Sequence, residues 1–424
     1  MTSQPYIGDD LVGDYNEQQI APAYAEAKKQ LDKRYPIWSG RAVFDHADGM
    51  SWETSCAKHL AECRAALGLV DPIPPPGPVP MLRVADTRFY DALTGSTWKW
   101  RGASAFRLFE LFLKGENIGP FCRWALTSQI NILRVFGAYN GGIGRLIPTE
   151  YPTYGAQLPR FLDVVNGYGL SVEFTIFADM QTPALAAINQ ASNYQTVINI
   201  LRGRAGVVVE ICNEPFKNGV VPESLYQPLP DLMQALGSYD FIDGQIKHAD
   251  YVTMHTDRGP EWPRKAKDML EVSRLGWDGF TALRHPCIGD EPLGIGPEQP
   301  GSRSMVAADH AAYHGVAALF SSGSTIHSTF GVQTRLPTAE EQRCLAAATA
   351  TMQAVPPECA TWKYTAGHLG DCPLENQGLR VYGMIDAGRA VCVLVRPTGP
   401  PVARDGWRIV SQRGYQGLVV ELAR

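Results

Sequence analysis

Residues 207–215 read VVVEICNEP, and residues 286–294 read PCIGDEPLG. The first is a continuous apolar strand that stops at Asn213-Glu214-Pro215. The second delivers Glu291 into a Pro-marked turn about eighty residues later. Uninterrupted apolar runs of this length are strands buried on both faces, the mark of a parallel sheet covered by helices. Ending such a strand in a carboxylate is costly unless the charge is paired, solvated at a cleft or shifted in pKa.

Working outward, strand-like and helix-like segments alternate from about residue 81 to 355. INILRVFGAY (130–139) and SVEFTIFAD (171–179) are buried strands. LPRFLDVVNGYG (158–169) between them is a helix closed by glycine. STWKWRGASAF (96–106), YVTMHTDRG (251–259), the Glu291 segment and STIHSTFG (324–331) continue the series. Seven strands are legible, and an eighth is expected within residues 216–249, where LMQALGSYDF (232–241) can hold a short one. Eight such units in about 270 residues predict an α/β fold of the (β/α)8 TIM-barrel type. No GxGxxG follows a strand and no GxxxxGK[ST] occurs, which removes the signatures of nucleotide-binding open sheets.

The flanks differ in texture. Residues 1–80 form a polar, helix-patterned extension that ends in the Pro-rich linker DPIPPPGPVP (71–80). Residues 81–355 are the expected barrel, and 356–424, with alternating segments such as GLRVYGMIDAGRAVCVLVRP, a small antiparallel β domain. Charged residues make up 19% of the chain and the net charge is −5, so the clustered Lys and Arg of a nucleic-acid surface are absent. No apolar run approaches the eighteen residues of a membrane span. The N-terminus, MTSQPYIGDD, lacks a charged-then-apolar leader, so the expectation is a cytoplasmic protein or a leaderless form of a secreted one. Nine cysteines without a CxxC pair predict a reduced, disulfide-poor chain with no zinc site. Cys212 and Cys287 sit inside apolar strands as small hydrophobes.

In a barrel of this type the C-terminal strand ends converge on one face. Here they carry Arg134, Asp179, Asn213, Glu214, His255, Glu291 and His327. In ILRVFG, EICNEP, VTMHTDRG and IGDEPLG, in that order, the chain resembles the retaining glycoside hydrolases of the large (β/α)8 clan of cellulases, mannanases and β-galactosidases. The resemblance covers roughly residues 90–355. It implies Glu214 as acid/base and Glu291 as nucleophile, with Asn213, Arg134 and His255 in support. It implies a carbohydrate substrate and neither metal nor cofactor. One departure is that STIHSTFG lacks the Trp that often ends strand eight in the clan.

The chemistry accounts for the residue types. Two carboxyl groups about 5–5.5 Å apart suffice for a retaining cleavage. Arg134 would keep Glu291 ionised, and Asn213 would donate to the sugar 2-hydroxyl. Glu214 would start protonated, with its pKa raised by burial and by the neighbouring carboxylate. Asp290 and, more remotely, Glu298 compete with Glu291 as nucleophile. Trp262, Tyr139, Phe136 and Trp100 are candidate sugar-stacking residues, with Asp179 and His327 as further substrate contacts. A transglycosylase with the same residues and a non-catalytic glycan-binding barrel remain as alternatives. A metal-dependent barrel hydrolase would call for an HxH pair, and the sequence has none.

Overall fold

Eight parallel strands close on themselves in the computed structural model of the chain. They are β1 Trp100–Ser104, β2 Ile132–Phe136, β3 Ser171–Phe177, β4 Val207–Cys212, β5 Gln234–Tyr239, β6 Val252–Met254, β7 Cys287–Gly289 and β8 Gly323–Ile326. Each pairs in parallel with the next, and β8 returns to β1. The eighth expected strand is therefore β5, inside LMQALGSYDF, and the (β/α)8 reading holds. The structure describes residues 79–85, 87–239, 249–255, 285–297, 303–320, 322–361, 363–365, 373–375, 380–404 and 406–424. The chain divides into two compact units, Met1–Ile73 and Pro74–Arg424, and all of these residues lie in the second. Residues 1–78 of the N-terminal extension, Trp262 and Glu298 fall outside the described residues.

Burial explains the strand sequences. Every residue of β2, β3 and β4 is buried, because side chains on one face fill the barrel and those on the other meet helices. Among the covering helices are α1 Gly119–Thr127, α2 Tyr154–Gly167, α3 Gln190–Leu201, α4 Ala307–Phe320 and α5 Ala339–Ala354. Asn189 caps α3 by accepting the Ser192 N–H at 2.9 Å, and Thr338 and Glu341 form a reciprocal capping box on α5.

The barrel interior is layered. Trp100, Ile132, Val208, Ala235, Tyr251 and Ile288, near the N-terminal strand ends, form an apolar floor with Leu82 and Phe89. Leu82 and Phe89 belong to an antiparallel sheet of Leu82–Ala85, Arg88–Asp91 and Thr97–Trp98. Toward the C-terminal strand ends the interior turns polar, with Arg134, Glu173, Thr175, Glu210 and Thr253, all buried. The period of two that places hydrophobes on the floor thus places charges above it and the strand-end groups on top.

The tail is antiparallel, as expected. Lys363–Thr365, Arg380–Asp386, Arg389–Val395, Val419–Ala423 and Arg408–Arg413 form one sheet in that order. Val391, Cys392 and Val393 share a buried core with Tyr313, Val316 and Ala317 of α4. Gly315 permits this close approach: a Cβ there would lie 2.8 Å from Thr351 Cγ2 and 3.1 Å from Val393 Cγ1.

Candidate active site

Arg134 organises the C-terminal mouth of the barrel. Its Nη1 donates to Glu291 Oε1 at 2.9 Å, and its Nη2 to Asn213 Oδ1 at 2.9 Å and Glu210 Oε2 at 2.6 Å. Nε donates to Glu210 Oε2 at 3.1 Å, and Asp290 Oδ2 lies 3.0 Å from Nη2. The guanidinium is buried and rests against Phe106 and Phe136, 5.5 and 5.3 Å from their ring centroids. One fixed planar cation therefore binds residues from β4 and from both strand-end segments quoted at the outset.

Beneath the mouth lies a network that sequence reading missed. Glu210 accepts from Thr175 Oγ1 at 2.7 Å and Thr253 Oγ1 at 2.9 Å, in addition to Arg134. Glu173 lies on the Tyr251 hydroxyl at 2.9 Å, and the same hydroxyl is 3.0 Å from the Val209 carbonyl oxygen. One hydroxyl proton cannot serve both acceptors, which fits a Glu173 that carries its own proton. Burial, with the Glu210 charge beside it, pushes that carboxyl well above its ordinary value. Burial also raises Asp290 to about 7, against the opposing pull of Arg134 and His255. The available signal was an acid in mid-strand, at VVVEIC and SVEFTIF.

Asp290 and Glu291 divide as follows. Asp290 is wholly buried, whereas the Glu291 side chain is 12% exposed and opens to the mouth. β7 ends at Gly289, so strict strand alternation no longer separates the two, and both reach Arg134. The exposed member of the pair is Glu291.

Glu214 occupies the turn where β4 becomes the short helix Pro215–Asn218, at φ 41° and ψ 64°. Pro215 disfavours the right-handed helical conformation at Glu214, and a left-handed non-glycine residue costs about 1–3 kcal/mol, a pattern concentrated at functional sites. Gly237 of β5 makes room for this turn, since a Cβ there would stand 2.2 Å from the Cys212 carbonyl oxygen. Glu214 Oε1 accepts from His255 Nδ1 at 3.1 Å and from Lys217 Nζ at 2.5 Å. His255 Nε2 faces Glu291 Oε1 at 3.5 Å and Asp290 Oδ1 at 3.6 Å. One imidazole thus stands between the two strand-end glutamates.

Burial lowers the His255 pKa, but the charges of Glu291 and Asp290 and the hydrogen bond to Glu214 outweigh it, so the ring is held above its ordinary value. For Glu214, burial pushes the carboxyl up, and the bonds from His255 and Lys217 with the His255 charge more than reverse it. Its pKa lies below the ordinary carboxylate value, opposite in direction to the raised value expected from burial and Glu291 alone. The difference includes Lys217, a cation that the sequence reading left out.

Asp179 lies two residues beyond β3 in a left-handed turn at φ 56°, its N–H donating to Asn218 Oδ1 at 2.9 Å. Burial raises its carboxyl, and Glu214 acts on it electrostatically. His327 follows β8 and is buried, with Nδ1 3.1 Å from Ser104 Oγ.

Three of the expected stacking residues do not present a ring face to the mouth. Trp100 is in the apolar floor at the opposite end of the barrel, its indole N–H donating to Thr325 Oγ1 at 2.9 Å. Tyr139 is buried with its hydroxyl bound to Glu110, itself held by Arg107 and Lys114. Phe136 is stacked on Phe106 at 3.9 Å. Among the described residues, an exposed aromatic beside Glu214 is Phe216, 59% exposed and two residues further along.

No protein-family model and no curated protein matches the sequence. Among solved structures, the chain is similar to a glycoside hydrolase family 5 protein from Bacteroides vulgatus, with a TM-score of 0.56 at 11% identity, over 81% of this chain and 93% of that one. It is also similar to a structure described as a glycoside hydrolase, with a TM-score of 0.52 at 9% identity, over 81% and 96% of the two chains. At these identities the likeness is one of fold, a (β/α)8 barrel.

Proposed function

We propose that the protein is a retaining β-glycoside hydrolase acting on a poly- or oligosaccharide, with Glu291 as nucleophile and Glu214 as acid/base. The observation that carries this reading is the His255 imidazole between the two glutamates, with Arg134 fixed on Glu291 and Asn213. Arg134 keeps the exposed Glu291 carboxylate ionised and oriented toward the mouth. Glu291 attacks the anomeric carbon while Glu214 gives its proton to the glycosidic oxygen, and the leaving alcohol departs. Glu214, now a carboxylate, takes a proton from water, whose oxygen displaces Glu291 and restores the enzyme. Asn213 is positioned by Arg134 through its carbonyl oxygen, which turns its amide N–H group toward the sugar 2-hydroxyl.

The test is a screen of polysaccharides and aryl glycosides with the wild type beside Glu291→Ala. Cleavage by the wild type and none by the variant supports the assignment and names the sugar. Equal cleavage by both removes Glu291 as nucleophile. Glycan binding by a wild type that cleaves nothing points to a binding barrel, and sugar transfer that outpaces hydrolysis on adding acceptor sugars points to a transglycosylase.

A further inference from the structure

Lys217 Nζ stands at the meeting point of two features of the mouth. It donates to Glu214 Oε1 at 2.5 Å and lies 5.4 Å from the centroid of the Phe216 ring. Its side chain is 51% exposed and that of Glu214 22%. A general acid protonates the oxygen that joins the cleaved sugar to its leaving group, so the leaving group lies on the Glu214 side. Among the described residues, the exposed Phe216 ring is an aromatic surface next to Glu214 and Lys217. A sugar stacked on the ring takes the space that the ammonium holds.

We propose that Lys217 is a positioning residue that locks Glu214 as a carboxylate in the empty site, and that a leaving-group sugar seated on Phe216 displaces its ammonium and releases the acid step. The inference rests on the hydrolase reading and adds to it a leaving-group subsite that takes a neutral sugar ring. Other ionisable groups face Glu214 from every side: His255 after β6, Glu291 after β7, Asp179 after β3 and the Cys212 thiol at the end of β4. Asp179 and Glu291 favour a proton on Glu214, whereas His255 and Lys217 oppose it. Of the two opposing cations, His255 is buried on three carboxylates and Lys217 is half-exposed on a flexible stem. Lys217 is therefore the one that an incoming sugar can move. Its departure leaves His255 alone against burial and like charge, and the balance at Glu214 moves toward the protonated acid.

The experiment reads Glu214 directly. Carboxyl NMR of protein carrying 13C-labelled glutamate, with the Glu214 resonance assigned by Glu214→Gln, gives its titration in the wild type, Lys217→Met and Lys217→Arg. The expected result is a midpoint about one pH unit higher in Lys217→Met, a tenfold change in proton affinity, and a wild-type midpoint in Lys217→Arg. An unchanged midpoint in Lys217→Met overturns the proposal whether or not the protein cleaves a glycan. With an oligosaccharide that the wild type hydrolyses, the basic limb of kcat/KM moves up in Lys217→Met and stays in place in Lys217→Arg. An unmoved basic limb in Lys217→Met also overturns it. Phe216→Ala removes the gap between the limbs of kcat and kcat/KM that the wild type shows, and a gap that persists overturns the part assigned to the ring. Failure of the hydrolase reading is distinct, since it appears as wild-type inactivity or as full activity in Glu291→Ala.

Discussion

Arg134 Nη1 donates to Glu291 Oε1 at 2.9 Å while the same guanidinium holds Glu210 and lies on Asp290. The cation is shared, so its loss is felt by buried acids as well as by the exposed one. Arg134→Lys keeps the charge but cannot reproduce a fork that serves Glu291, Asn213 and Glu210 together. Expected outcomes are a fall in kcat of at least about tenfold and a loss of about 1–3 kcal/mol of stability, since buried acceptor oxygens lose their donors. Denaturant unfolding and steady-state kinetics check both, and an unchanged kcat would remove Arg134 from the catalytic account.

Glu214→Gln removes a proton donor while keeping the shape of the side chain. Cleavage of substrates with poor leaving groups is expected to drop by about 10²–10⁴, the usual range for general acid–base catalysis. Formation of the glycosyl–enzyme from activated aryl glycosides, which need no protonation, is expected to drop far less. Pre-steady-state kinetics on a leaving-group series measures this, and equal losses across the series would count against the acid role.

Asp290 titrates near 7 in the fold because burial opposes its charge, against an ordinary value of 3.8. The folded state therefore binds the proton more tightly than the unfolded one. The associated stability is fully present below about pH 4 and is lost as the pH rises through 7. Asp290→Asn does not titrate, so the wild type is expected to lose stability relative to this variant between pH 4 and 7, by at most about 1.4 kcal/mol per pH unit. Parallel unfolding curves at matched pH test it, and a difference that is flat or rises with pH refutes the assignment.

Gly237→Ala puts a methyl group 2.2 Å from the Cys212 carbonyl oxygen and 2.8 Å from Pro215 Cγ. Backbone must move, and it is the backbone that holds Asn213 and Glu214. A loss of about 1–3 kcal/mol is expected, as for other overpacked sites, together with lower kcat. Thermal unfolding with kinetics on the same preparation decides it, and a variant of wild-type stability and rate would show that this contact does not position the turn.

The barrel was legible because fully buried parallel strands are near-continuous apolar runs, as in VVVEIC and SVEFTIF despite the one glutamate inside each. β5 was harder to place: Gly237 has no side chain because the neighbouring turn crowds it, and with Ala235 this leaves a weak hydrophobic signal. The strand-end residues Arg134, Asn213, Glu214, His255 and Glu291 do meet at one mouth. The aromatics misled because a period of two gives direction and not depth. Trp100 and Phe136 both sit on barrel strands, one in the floor and one packed against the arginine. Glu173 and Glu210 were hidden for a related reason, since nothing in a single strand shows that its mid-strand acid meets others across the barrel. Lys217 and Phe216 went unremarked because residues after a strand end read as ordinary loop.

The most direct test of the central assignment is to trap the covalent intermediate. A 2-deoxy-2-fluoro glycoside of the sugar identified by screening, with an activated leaving group, slows turnover of the glycosyl–enzyme. Peptide mapping by tandem mass spectrometry then locates the sugar. The account places it on Glu291, one sugar per chain, with the product released in the retained configuration. A label on Asp290, or a product of inverted configuration, would contradict it.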